Sequence, residues 1–423
     1  MYHRECLGNG LRVIGETIPH AHSVSIGLWV AAGSRDEAHG QQGISHLIEH
    51  MLFKGTRSRS ARKIAEEIDA VGGQLNAFTT REYTCYYAKV LAAHIGLGLE
   101  LLADMYCHAS LDAGEMEKEK GVVIEEIRSY EDAPDELVHE LLAAALWPVH
   151  PLGQPIIGTP ESVGDLTKRE IAGFIDTFYR PAGTVLSVAG KLDFSEFLSL
   201  AEKNLSELAP GGEGMPREIP IPASRHLVRK KETEQVHLCL GGPGVKRSSP
   251  DKYVVQVLDS ILGGSVSSRL FQKLREEEGL VYATGTAHSS FCDAGAFSIY
   301  AGTAPESVPD VMRMIRAETD RLVRELVPES ELLRAKEQIK GAFLLSMEST
   351  STRMSRLARA EIYHESALTP EEVISRLEMV TAEDIMRLAG LIFQEGPHPM
   401  AAVGPNRGGF DLEGILEESV VSD

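Results

Sequence analysis

The chain repeats its own strand, turn and helix pattern at a period of 213 residues, and this duplication restricts the fold more than any other feature. Val24-Ser25-Ile26-Gly27-Leu28-Trp29-Val30 runs into Gly33-Ser34-Arg35-Asp36, and Val236-His237-Leu238-Cys239-Leu240-Gly241-Gly242 runs into Ser248-Ser249-Pro250-Asp251. Each is a strand-like run, then a polar turn, then a helical pattern. Between the copies lies Ala209-Pro210-Gly211-Gly212-Glu213-Gly214-Met215-Pro216, a breaker-rich stretch that reads as a linker. A chain of 423 residues also exceeds one ordinary core. Two domains are therefore expected, at 1–208 and 225–423, joined by a linker over 209–224. Short strands alternating with amphipathic helices, as over 93–109, 307–326 and 329–347, predict an α+β fold. Each of the two homologous domains is expected to hold a mostly antiparallel or mixed sheet flanked by helices.

The copies differ where chemistry is concentrated. His46-Leu47-Ile48-Glu49-His50 sets two imidazoles one helical turn apart with a carboxylate between them. Residues at i and i+4 share a helix face, so both rings can hold one Zn²⁺ at roughly 2.0–2.1 Å while Glu49 faces the same ion as a base. With 15 His and 62 acidic residues in the chain, His-x-x-acid-His arises by chance about 0.08 times. The flanks supply context: Ser45 to cap a helix, an apolar stripe of Leu47, Ile48, Met51, Leu52 and Phe53, and Gly55-Thr56 to end it. Histidines on an apolar helix need partners, either within the core or in a metal. Sliding by 213 residues sets His46 on Asp259, Glu49 on Leu262 and His50 on Gly263, so the second copy keeps the scaffold without the ligands.

A catalytic zinc takes three protein ligands and keeps one position open. The acidic helical run Glu115 to Arg128 is the best source of the third. At helical spacing Glu126 shares a face with Val122, Val123 and Tyr130, whereas Glu125 sits with Gly121, Arg128 and Ser129, which predicts that Glu126 points inward. Glu119, two turns earlier on that face, is placed to accept a hydrogen bond from a ligand histidine. Without a metal, the same run reads as a solvated charged helix.

An inverted zinc motif followed by Glu126, itself seven residues after Glu119, resembles the pitrilysin or insulinase-like zinc metallopeptidases. Within them it is similar to the mitochondrial processing peptidase beta subunits and their bacterial homologues. The resemblance runs along nearly the whole chain, through Leu7-Gly8-Asn9-Gly10, Gly33-Ser34-Arg35-Asp36-Glu37, Gly72-Gly73-Gln74-Leu75-Asn76-Ala77-Phe78-Thr79, His150-Pro151-Leu152-Gly153 and Gly158-Thr159-Pro160-Glu161-Ser162. It continues through Leu262-Gly263-Gly264-Ser265 and Leu274-Arg275-Glu276-Glu277-Glu278-Gly279-Leu280-Val281-Tyr282.

The resemblance implies one Zn²⁺ per chain held by His46, His50 and Glu126, with Glu49 as catalytic base and Glu119 as its supporting carboxylate. It implies that Asn76, Ala77, Phe78 and Thr79 form an edge strand that receives the substrate backbone, and that Arg275 and Tyr282 contact substrate near the scissile bond. From the residues alone, Gly72-Gly73 marks a turn before an ordinary strand, and Arg275 is a solvated charge in a helix ending at Gly279. The expected activity is zinc-dependent endoproteolysis of peptides or unfolded segments inside a dimeric chamber. The partner would be a second copy or a zinc-free homologue, with Arg275 and Tyr282 of one chain serving the zinc of the other. The alternative is a non-catalytic peptide-binding or scaffold subunit of the same fold.

Composition narrows the partners. A net charge of −20 argues against nucleic acid and favours basic peptides. Cys6, Cys85, Cys107, Cys239 and Cys292 form no Cys-x-x-Cys motif or paired framework, which fits a reducing compartment. No basic-then-apolar leader is visible and no apolar run approaches the ~20 residues that cross a bilayer, so a cytoplasmic, non-membrane protein is expected. Gly263-Gly264-Ser265-Val266-Ser267 lacks the last glycine of a nucleophile elbow, and no Gly-Lys-Ser/Thr follows to make a phosphate cradle.

Overall fold

The structure, a computed structural model, describes residues 2–211, 214, 216–364, 367–405 and 414. Gly212, Glu213 and Met215 of the expected linker lie outside the described residues. The chain divides into two compact units, residues 1–128, 155–217 and 345–367 in one, and 129–154, 218–344 and 368–423 in the other.

The first unit is built on a six-stranded sheet of β1 (Tyr2–Cys6), β2 (Arg12–Thr17), β3 (Ser23–Val30), β4 (Gln74–Thr79), β5 (Thr84–Leu91) and β6 (Thr184–Gly190), in the order β1-β2-β6-β3-β5-β4. Only β2 and β6 run parallel. Side chains alternate across a strand, so β3 sends Val24, Ile26 and Leu28 to one face and Ser25 and Trp29 to the other. The first face packs α1 (Ile44–Leu52), α2 (Ala61–Asp69), α3 (Ile95–His108), α4 (Ala113–Asp132), α6 (Pro160–Asp165), α7 (Lys168–Phe178) and α8 (Phe194–Leu205) into one core. On the other face, Ile14, Trp29, Cys85 and Val185 meet Met354 and Leu357 of α12 (Thr350–Ile362). Leu47 and Ile48, fully buried, anchor α1. Burial of each is worth about 1.5–3 kcal/mol.

The second unit has five strands, β7 (His226–Lys230), β8 (Val236–Pro243), β9 (Val281–Ser290), β10 (Gly295–Thr303) and β11 (Met400–Gly404), ordered β7-β11-β8-β10-β9. Apart from β1, this is the order and direction of the first sheet strand for strand, with β7 and β11 as its parallel pair. The long-period pattern in the sequence is thus a repeated topology. Helices α9 (Lys252–Leu262), α10 (Val308–Arg324), α11 (Glu329–Ser346), α13 (Pro370–Glu378) and α14 (Ala382–Phe393) join its main core. The helix α5 (Pro134–Leu146) covers the other face, with Val138 and Leu142 against Cys239, Ala401 and Val403.

The contiguous boundaries expected at 208 and 225 therefore do not describe the units. Both faces of each sheet are apolar, and the helices contiguous with its strands cover only one. The first half gives α5 to the second sheet, and the second half gives α12 to the first. Such an exchange leaves no local trace, because an amphipathic helix does not record which sheet it covers.

Candidate metal centre

The helix that carries the two histidines begins where its own sequence offers no cap. The N-cap is Gly43, held at φ +89°, and a Cβ there would come within 2.6 Å of the Ile157 carbonyl oxygen. Ser45, expected to cap, lies instead inside the first turn and is buried. The capping acceptor comes from upstream: the Glu37 carboxylate takes the Gly43 N–H on Oε2 and the Ser45 N–H on Oε1, each at 2.9 Å. Burial pushes the Glu37 carboxyl up to about 8, while these two N–H donors pull it down. The loop is braced from the other side by Ser162, whose Oγ donates to the Gln42 carbonyl at 2.8 Å. Neighbouring Arg35 forms a fully buried pair with Glu82 at 2.7 Å, and Asp36 accepts from the Gly33 N–H. Replacing Glu37 with Ala strands two donors at a helix N-terminus, so the variant should lose about 1–2 kcal/mol of stability. Urea unfolding measures this, and an unchanged midpoint would remove Glu37 from the capping role.

Three side chains from α1 and α4 converge. The rings of His46 and His50 lie 4.7 Å apart by centroid. Glu126 Oε2 stands 3.9 Å from His46 Nε2 and 3.6 Å from His50 Nε2. Ligands at zinc distances in a tetrahedron are separated by roughly 3.4 Å, so these donors need close by only a few tenths of an ångström. Desolvation, with His50 adding repulsion, pulls the His46 imidazole down to about 4, which keeps it neutral and its lone pair available. Its Nδ1 is buried with no hydrogen-bond partner among the described residues. His50 is oriented by Glu119, whose Oε2 lies 3.1 Å from Nδ1. A proton on Nδ1 leaves Nε2 as the nitrogen facing Glu126. The other oxygen of Glu119 is held at 2.6 Å by Lys54 Nζ. This donor set of two imidazoles and one carboxylate fits a divalent zinc ion with one position open.

Glu49 lies beside this cluster. Its Oε2 accepts the Thr79 hydroxyl at 2.6 Å. Burial pushes its carboxyl above the usual range and the Thr79 hydrogen bond opposes that. Thr79 ends β4, which among the described residues pairs only with β5 and is an edge strand of the sheet. Along β4, Leu75, Ala77 and Thr79 alternate with the more exposed Gln74, Asn76 and Phe78. Asn76 Oδ1 accepts the Ala77 N–H at 2.8 Å. Arg275 and Tyr282 belong to the second unit. Arg275 sits on the seven-residue π-helical segment Phe271–Glu277 with its guanidinium 5.0 Å over the Phe271 ring, and Tyr282, 64% exposed, is on the edge strand β9.

Glu126 does not lie on the buried face that helical spacing predicts for it. Val122 and Tyr130, taken as its inward-facing neighbours, are exposed, and the buried row of α4 is Met116, Glu119, Lys120, Val123 and Ile127. Glu126 flanks that row at 40% exposure rather than lying in it. Three contributors escaped the sequence reading: Glu37 as the cap, Lys54 on Glu119, and Thr79 as the partner of Glu49. A glycine N-cap with an acid six residues upstream was a usable signal for the first, and Lys54 at i+4 from His50 for the second.

Residues 12–160 match the family model described as insulinase, peptidase family M16, and residues 165–339 match the one described as peptidase M16 inactive domain. An uncharacterized zinc protease of Bacillus subtilis (strain 168) is 43% identical over 406 residues, covering 96% of this chain and 99% of the relative. A second, from Streptomyces coelicolor, is 35% identical over 410 residues, covering 95% of this chain and 89% of the relative. In fold, a protease from Helicobacter pylori superposes with a TM-score of 0.90 at 22% identity, covering 96% of this chain and 99% of that one. A peptidase M16 inactive domain structure from Pseudomonas fluorescens gives 0.90 at 19%, covering 96% and 98%. Both halves of the chain thus match models of one family, and the chain belongs to the insulinase family, peptidase family M16.

Proposed function

We propose that this chain is a zinc-dependent endopeptidase that cleaves extended peptides or unfolded segments. The observation that carries the reading is the convergence of His46, His50 and Glu126 beside Glu49, itself hydrogen-bonded to the end of an edge strand. When bound there, Zn²⁺ would polarise the scissile carbonyl and acidify water. A substrate adds its backbone alongside Asn76 to Thr79, where main-chain hydrogen bonds hold a peptide without demanding a sequence. Glu49 takes the proton of the attacking water and passes it to the leaving amine. Thr79 keeps that carboxylate aimed at its work. Arg275 and Tyr282 donate to the substrate carbonyl of a partner chain, in a chamber built by two copies or by this chain and a zinc-free homologue. The five cysteines form no disulfide with one another, which suits a cytoplasmic setting, and no described helix is long and apolar enough to cross a membrane.

The test begins with the purified chain and an unstructured basic peptide. Cleavage at internal bonds, abolished by a chelator and restored by Zn²⁺, supports the reading. Zinc bound without cleavage would favour the scaffold alternative. Mixing Glu49→Gln subunits with Tyr282→Phe subunits then tests the shared site: recovered activity in the mixed dimer supports action across chains, and none refutes it.

A further inference from the structure

We propose that the first unit carries a second binding site, separate from the metal centre, for a small organic anion with an aromatic or aliphatic body. A cavity of about 430 Å³ opens between β3, β4 and β5 and the start of α12, on the sheet face opposite α1. Its size lies within the range of small-molecule sites. Four rings wall it. Trp29 meets Phe78 edge-on at 5.6 Å and Tyr83 at 5.4 Å, and Phe78 stands 6.1 Å from Tyr87. A packed core would bring such rings together with no space between them. Here the space remains, and Phe78 is 37% exposed.

The charge of the lining selects the ligand. The chain carries 62 acidic against 42 basic residues, yet no Asp or Glu lines this cavity while Lys89 and Arg359 both do. Both cations are half-buried. Neither has a carboxylate within ion-pairing distance among the described residues, although cations elsewhere in this acidic chain are commonly paired. Arg359 makes one long bond, Nε to the Ser355 carbonyl at 3.4 Å. The floor adds a further donor. The indole N–H of buried Trp29 donates at 3.2 Å to the thioether of Met354, a weak acceptor. Ser351 and Thr352, in the first turn of the thirteen-residue α12, also line the cavity, so the positive end of that helix faces it. Rings for an apolar body and two unpaired cations for its charge define a carboxylate on an aromatic or aliphatic group. Such a ligand is either a free acid or the C-terminal residue of a peptide.

Calorimetry on the full chain tests the site with three probes: N-acetylphenylalanine, its C-terminal amide, and 3-phenylpropionate, each with zinc present and after chelation. Binding of either carboxylate that survives chelation, with the amide at least tenfold weaker, supports the proposal. N-acetylphenylalanine alone identifies a peptide terminus as the source, 3-phenylpropionate alone a free acid, and both the shared chemistry. Lys89→Gln with Arg359→Gln should weaken binding at least tenfold, and Ser355→Phe, which fills the cavity and leaves both cations in place, should abolish it. The proposal is overturned by equal binding of the amide, by binding lost on chelation, by affinity unmoved in both variants, or by no binding at millimolar probe.

Discussion

Glu49→Gln should keep its zinc and lose turnover by about two to four orders of magnitude, the range by which a positioned base accelerates proton transfer. The separation of the two effects follows from geometry. Glu49 is not among the three side chains that converge, because its carboxylate is turned to Thr79 at 2.6 Å while His46, His50 and Glu126 face one another. Glutamine has the shape of glutamate and its amide oxygen can still accept the Thr79 hydroxyl, so α1 and its packing are undisturbed. What it cannot do is take a proton. Cleavage of an unstructured peptide measures the first effect, and metal content per chain by plasma emission measures the second. A variant that loses its zinc would make Glu49 a ligand, and one within tenfold of wild-type turnover would remove it as the base.

The parts of this site that could be read from sequence are those whose spacing is local. His46 and His50 lie one turn apart, and Glu119 and Glu126 two turns apart, so helical geometry alone puts each pair on one face. The repeated strand, turn and helix pattern was legible for a similar reason, since Val24 to Val30 and Val236 to Gly242 are both strand-like runs followed by polar turns. What escaped is set by contacts distant in the chain. Trp29 and Met354 are 325 residues apart and meet because one sheet has a second apolar face, a requirement that gives no hint of which helix will meet it. The cap of α1 escaped at shorter range. Helix signals favour a Ser at the first turn, whereas the fold uses Gly43 in a left-handed conformation and reaches back to Glu37. Helical spacing places Glu126 with Val122, Val123 and Tyr130, yet only Val123 of these is buried, and Glu119 rather than Glu126 lies in the buried row.

That distinction makes the three carboxylates of α4 a graded test of ligation. Glu126→Gln should weaken zinc binding by more than the roughly 10–100-fold that loss of an outer partner costs, because a charged donor facing both imidazoles becomes a neutral amide. Glu119→Gln should fall within that range, since it leaves the donors in place and loosens only the hold on His50 Nδ1 and on Lys54. Glu125→Gln should change affinity by no more than about twofold: the side chain is 69% exposed and its partner is the surface guanidinium of Arg128. All three substitutions remove one negative charge from the same helix, so the long-range field of the protein changes almost equally in each. Competition with a chromophoric chelator at fixed pH gives the three dissociation constants. The order 126, then 119, then 125 requires direct coordination at the first, orientation at the second and neither at the third, whereas three equal losses would mean that net charge alone draws the ion to this face.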